Sequence, residues 1–139
     1  MSSVEPSEAQ LARLLDLEDG KPIVMINLLR YRERAAYEPG ADDEPCSGRE
    51  AYERYGMYVL PLLARVGGRI RWRGDARAVV IGPADEHWDE VLLVEYPSRS
   101  AFVSMVTSED YRAIMHHRTA AISDSRLIAT MDAASFPGV

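Results

Sequence analysis

The order of hydrophobic segments along the chain predicts an α+β fold of the β-α-β-β-α-β type, an antiparallel sheet carrying helices on one face. Three observations carry this expectation. Two apolar runs, Ile23-Val24-Met25-Ile26-Asn27-Leu28-Leu29 and Glu90-Val91-Leu92-Leu93-Val94-Glu95-Tyr96, read as buried strands. Each is followed by a helical region and then by a further strand, at 67–72 in the first half and 126–130 in the second. The 139 residues suffice for one domain with its own core.

Each element has a local reason. Ser7-Glu8-Ala9-Gln10 has the form of a capping box, with Leu11, Leu14 and Leu15 following at helical spacing. A short amphipathic helix covering part of the domain is therefore expected within an N-terminal extension, residues 1–21. Lys21-Pro22 opens the first strand and the main domain, expected over 22–132. Its unbroken apolar run implies burial on both faces. From Arg32 to Pro45 the pattern gives way to charge, centred on Glu38-Pro39-Gly40-Ala41-Asp42-Asp43-Glu44. A connection of this length is either a lid or binding loop, or a disordered surface insertion.

Ser47-Gly48-Arg49-Glu50 is a second capping box, launching a helix with Tyr52, Tyr55, Val59, Leu62, Leu63 and Val66 on one face. Pro61 should kink it, and Gly67-Gly68 should end it. In the strand that follows, Ile70 and Trp72 are expected on one face and Arg69, Arg71 and Arg73 on the other. Ala78-Val79-Val80-Ile81-Gly82 reads as a hairpin partner or a bent continuation of that strand. Ser98 is expected to cap a short helix through Phe102 and Met105. Ser108 should start a longer one containing Tyr111, Ile114, Met115, Arg118 and Ile122. Leu127 to Met131 supplies the last strand, and 133–139 form a tail.

Both central strands are apolar on both sides, yet the chain has helix for only one face of the sheet. A second copy packed sheet to sheet would cover the other, so a homodimer is expected. The formal charge of −6 argues against a nonspecific nucleic-acid or anionic-membrane surface. Cys46 is the only cysteine, which excludes an intramolecular disulfide and suits a reducing cytoplasm. The N-terminus does not resemble a signal peptide, and no apolar run approaches the ~20 residues of a membrane span. A soluble, cytoplasmic protein without nucleic-acid or membrane partners is expected.

With Tyr52 and Tyr55 on the first long helix, Gly67-Gly68-Arg69 at its exit, Val94-Glu95-Tyr96-Pro97-Ser98, Ser108-Glu109-Asp110-Tyr111 and Arg118, the chain resembles the family known as domain of unknown function 1330. The resemblance covers roughly residues 22–131. It implies a ferredoxin-like fold pairing as a dimeric α/β barrel. That superfamily is similar in shape to cofactor-free monooxygenases, muconolactone isomerases, haem-degrading oxygenases and chlorite dismutases, and shape alone transfers none of these activities.

Several side chains are candidates for chemistry. Asn27, the only asparagine, interrupts a buried strand and either orients a ligand or makes a structural hydrogen bond. Glu95 shares a face with Val91 and Leu93, so it is either a general base with a raised pKa or the partner of an arginine, with Arg71 and Arg118 the obvious choices. Arg69, Arg71 and Arg73 would form a basic floor for a carboxylate or the guarding charges of an edge strand. Tyr52, Tyr55, Tyr96, Tyr111, Trp72 and Trp88 would supply an aromatic wall or ordinary core, with Tyr111 and Arg118 at the rim of the ligand site. His116 and His117, neighbours on a helix, should point about 100° apart, which argues against a shared metal. Asn27, Trp72 and one of these histidines are similar to the Asn-Trp-His set of haem-degrading proteins, though the spacing differs. Cys46 sits among carboxylates that disfavour its thiolate.

The expectation is a small-molecule-binding protein with Glu95 and Asn27 as candidate catalytic residues. Arg71, Tyr52, Tyr55, Trp72, Tyr111 and Arg118 would contact a small carboxylated or aromatic metabolite. Cofactor-independent monooxygenation or isomerisation is the reaction class, and neither cofactor nor metal is expected. A haem-binding oxygenase and a non-catalytic binding or assembly module are the alternatives.

Overall fold

Short-range signals set most of the element ends. The structure, a computed structural model, describes residues 2–133. Helix α1 spans Glu8–Asp16, strand β1 Ile23–Tyr31, α2 Gly48–Arg65, β2 Arg69–Asp75 and β3 Glu90–Tyr96. They are followed by α3 Arg99–Val106, α4 Glu109–Arg112, α5 Met115–Ala121 and β4 Ile122–Thr130. Ser7 and Ser47 form complete capping boxes with Gln10 and Glu50, and Ser98 and Ser108 each accept an amide from the first turn they open. Helix α2 runs through Pro61 without interruption; the carbonyl that loses its donor belongs to exposed Met57. It ends where the Gly67 amide bonds Ala64 O (3.0 Å) and the Gly68 amide bonds Leu63 O (2.9 Å). With Gly67 at φ +80°, this is a Schellman ending that a side chain would strain.

The sheet is antiparallel, in the order β2-β3-β1-β4. Ile23 and Met25 of β1 and Leu92, Val94 and Tyr96 of β3 are buried with Leu62 and Leu63 of α2 and Phe102 and Met105 of α3. A second cluster joins Leu29 to Tyr52, Tyr55, Ala51, Ala121 and Ile122. On the opposite face Val24, Ile26, Leu28, Val91 and Leu93 are only half-buried. The central strands are thus not buried on both sides within one chain: helices cover one face and leave an apolar strip on the other.

Helix α1 forms where expected and packs Leu14 against the core, although it buries no residue fully and Leu11 and Leu15 stay exposed. Three further expectations are corrected. Residues 78–82 form no strand, and Val80 and Ile81 stand in solvent. The helix after Ser108 breaks at Ala113–Ile114, and β4 starts at Ile122, which lies in a strand rather than a helix. In β2 a register shift between Ile70 and Trp72 makes Arg71 the extra residue of a bulge. Arg69 and Trp72 therefore oppose Glu95 and Leu93 on the open face, and Ile70 and Arg73 oppose Val94 and Leu92 on the helix face. The three arginines do not form one floor. From 134 on, the expected tail lies outside the described residues.

Candidate functional site

The charged segment after β1 is a strap held on both sides. Arg32 N donates to Ala121 O and Ala36 N to Ala120 O (both 2.8 Å), while Ala35 N donates to Cys46 O (2.9 Å). Gly48 N completes the junction by donating to Arg32 O (3.1 Å). These bonds fasten the segment to the C-terminal end of α5 and to the start of α2. It is an ordered part of the fold instead of a disordered insertion.

That anchoring brings Asp43 against the two histidines of α5. Asp43 Oδ2 lies 3.4 Å from His116 Nε2 and its Oδ1 lies 3.9 Å from His117 Nδ1. The imidazoles do not diverge as their helical spacing suggested; their centroids are 4.1 Å apart at 35°. His117 is buried, with Tyr58 stacked on it at 5.5 Å and the Tyr37 ring edge-on at 5.7 Å. Tyr37 Oη and His117 Nδ1 are hydrogen-bonded at 2.8 Å. Arg54 Nη1 donates to Tyr37 Oη (3.2 Å) and to Glu44 O (2.9 Å), tying α2 to the strap. Burial, then the neighbouring His116, pushes the His117 pKa below the ordinary histidine value and favours its neutral form. Burial likewise raises the Tyr37 phenol, in spite of Arg54. Beside this cluster is a cavity of about 220 Å³, lined by Ala36, Tyr37, Glu38 and Ala41 of the strap and by Met115, His116, Thr119 and Ala120 of α5.

A second polar centre lies under the sheet. Glu90, only 1% exposed, takes two hydrogen bonds from Arg73 (2.7 and 3.1 Å) and one from Tyr31 Oη (2.9 Å). From Tyr31 a run of tyrosines leads through Tyr52 (5.4 Å between centroids) and Tyr55 (5.3 Å) to Tyr111 (6.1 Å). Tyr55 Oη and Tyr111 Oη are 3.0 Å apart. Burial raises the pKa of Tyr31, Tyr52 and Tyr55, so these phenols remain protonated.

The residues singled out in the sequence fall into separate places. Tyr52, Tyr55 and Tyr111 do meet, and the positive charge of Arg118 acts on the first two. Arg118 itself donates to Val4 O (2.9 Å), not to Glu95. Asn27 is in register with Leu92, and its amide donates long bonds to Met25 O (3.4 Å) and Leu92 O (3.3 Å). Glu95 is on the other side of the sheet, bonded to Arg69 (3.0 Å) and Arg71 (2.7 Å). Arg69 and, with it, Arg71 hold its pKa below the usual carboxylate value, the opposite of the raised value a general base would need. Trp72 shares that open face, so Asn27, Trp72 and the histidines are not assembled into one site. Sequence reasoning missed Tyr37, Asp43, Arg54 and Glu90. The length and charge of the strap were the visible signal for the first two; the buried carboxylate had none.

The sheet order, its antiparallel pairing and the one-sided helices define a ferredoxin-like α+β protein. Residues 46–131 match the family described as "Domain of unknown function (DUF1330)", and the chain belongs to that family. It is similar in structure to a protein of unknown function from Rhodopseudomonas palustris, with 40% identity and a TM-score of 0.88 over 97% of this chain and 100% of that one. A dimeric protein of unknown function and ferredoxin-like fold from Bacteroides fragilis shares 15% identity, TM-score 0.50, over 80% and 96% of the two chains. The hydroxynitrile lyase of Passiflora edulis shares the fold at 9% identity, TM-score 0.54, over 85% and 99%. No curated protein matches the sequence. Among the described residues no helix is long and apolar enough to cross a membrane.

Proposed function

We propose that this protein is a homodimeric small-molecule-binding protein whose ligand occupies the cavity between the strap and α5. The cavity carries the reading. Its lining is apolar at Ala36, Ala41, Met115 and Ala120, and Tyr37, Glu38, His116 and Thr119 supply polar groups. At about 220 Å³, and open to solvent on one side, it has room for a single ring or a short-chain acid with one polar group. Glu95 has no part in this site; with Arg69 and Arg71 it flanks the open sheet face.

The dimer reading rests on that face. Val24, Ile26, Leu28, Val91 and Leu93 form a half-buried apolar strip, and Trp72 and Ile128 at its margins are 60% and 49% exposed. A second copy would bury this surface, and the Bacteroides fragilis relative of the same fold is a dimer.

Isothermal titration with benzoate, phenol, phenylacetate and short 2-oxo acids tests the cavity. Binding by at least one compound is expected, with loss in Ala41→Trp, which fills the mouth from an exposed strap position. No binding across the panel, or equal binding by that variant, would end the cavity reading.

A further inference from the structure

We infer that Asp43, His116 and His117 form a binding site for a divalent transition-metal ion of the Zn²⁺ class. Their donor atoms, one from each residue, all lie within 4.8 Å of one another. A tetrahedral site with bonds of about 2.0–2.1 Å places neighbouring donors about 3.3 Å apart. Asp43 Oδ2 is 3.4 Å from His116 Nε2 and Asp43 Oδ1 is 3.9 Å from His117 Nδ1, and with all three donors within 4.8 Å of one another an ion closes the set by drawing them together by at most about 1.5 Å.

The arrangement is preorganised by the backbone. Asp43 comes from the strap and the histidines from α5; the bonds Arg32 N–Ala121 O and Ala36 N–Ala120 O dock the start of the strap on α5, and beside Asp43 the Glu44 carbonyl accepts from Arg54 Nη1. Two imidazoles with one carboxylate select a borderline ion over Mg²⁺ or Ca²⁺, which prefer all-oxygen shells. Three protein donors leave a position free, and His116 also lines the cavity, so that position adjoins the proposed ligand volume. The site thus deepens the cavity reading, on which it rests for the role of its open position, while the donor set stands on its own geometry. Tyr37 Oη hydrogen-bonds the Nδ1 that His117 would offer, so ion loading replaces that bond. Arg54, on the other side of Tyr37, is the one cation drawn into this cluster among the described contacts, and the acidic strap offsets it.

Co²⁺ titration of the EDTA-stripped full chain, followed by visible absorption and by competition with Zn²⁺, tests the inference. One equivalent per chain is expected, with the d–d bands of a low-coordinate ion that Zn²⁺ bleaches. Asp43→Asn and His116→Gln alter partly exposed side chains outside both core clusters, so each should fold. Each should weaken binding by more than about 100-fold, since even an outer-shell change costs about 10–100-fold. His87→Gln, outside the cluster, should leave it unchanged. Equal Co²⁺ affinity in wild type and the two ligand variants, or an equal loss in His87→Gln, would overturn the site. The ligand panel repeated in EDTA separates the two readings. Panel binding without specific Co²⁺ binding removes the metal alone; specific Co²⁺ binding without panel binding keeps the metal and removes the cavity reading.

Discussion

Replacing Gly48 by alanine should destabilise the protein through the junction that positions the strap. A Cβ built there overlaps Arg32 O and comes within 2.7 Å of Ala121 O and 2.8 Å of Arg32 N. All three neighbours are backbone atoms, so no side chain can yield; α2, the strap and the end of α5 must separate. Overpacking of this kind costs about 1–3 kcal/mol. The bonds Gly48 N–Arg32 O and Arg32 N–Ala121 O are both weakened, each worth about 1 kcal/mol. The expected loss is about 2–4 kcal/mol, or a fall in Tm of about 5–15 °C for a chain of this size. Gly56, in the same helix, is the internal control: a Cβ there meets nothing within 4 Å. Gly56→Ala should therefore stabilise by about 0.5–1 kcal/mol. Urea denaturation followed by circular dichroism, at one fixed protein concentration, measures both. Gly48→Ala within about 0.5 kcal/mol of wild type, or a shift of the same sign in both variants, would refute the steric argument and with it the account of how Asp43 is held.

Four further outcomes are expected. The Glu95 pKa is depressed in the folded state below its ordinary 4.5, so its contribution to stability is complete above that value and is lost as pH falls through the folded pKa. Glu95→Gln should flatten the acid limb of the urea midpoint below the ordinary carboxylate value of 4.5, and an unchanged limb would show that the Arg69–Glu95–Arg71 cluster contributes nothing. Leu93→Arg, in the centre of the open face, should turn a dimer into a monomer in sedimentation velocity; an unchanged sedimentation coefficient would point to assembly elsewhere or to none. Arg73→Met leaves the buried Glu90 carboxylate with Tyr31 and a distant Arg49 at 3.9 Å, and should cost about 2–4 kcal/mol by denaturation, less than a fully buried pair because Arg73 itself is 56% exposed. Tyr37→Phe frees His117 Nδ1 and should tighten Co²⁺ binding about 2–10-fold; weaker binding would make the phenol a ligand instead of a competitor.

Much of the fold was legible because its signals are local. The serine caps at 7, 47, 98 and 108 and the glycine ending after α2 each act within a few residues, and each formed at the expected position. The tyrosine face of α2 was equally readable, since helical spacing alone brings Tyr52 and Tyr55 together. The reading of β2 failed because one extra residue at Arg71 reverses the faces downstream, and that bulge is a property of the pairing with β3. The helix after Ser108 was drawn too long because apolar spacing continues through Ile122, where pairing with Tyr31 claims the backbone for β4.

The candidate site divides the same way. Hydrophobic pattern was sufficient for the α+β order and the expectation of an uncovered sheet face, because burial of apolar periodicity is dictated residue by residue, and the family resemblance rested on particular motif residues such as Gly67-Gly68-Arg69 and Ser108-Glu109-Asp110-Tyr111. The meeting of Asp43 with His116 and His117, 73 and 74 positions further on in the chain, was decided only when backbone bonds docked the strap on α5. The partnering of Glu95 with Arg69 and Arg71, and of Glu90 with Arg73, was decided by strand register. Ionic and metal-ligating groups act through distances of a few ångströms between remote residues, and only the tertiary structure sets those distances.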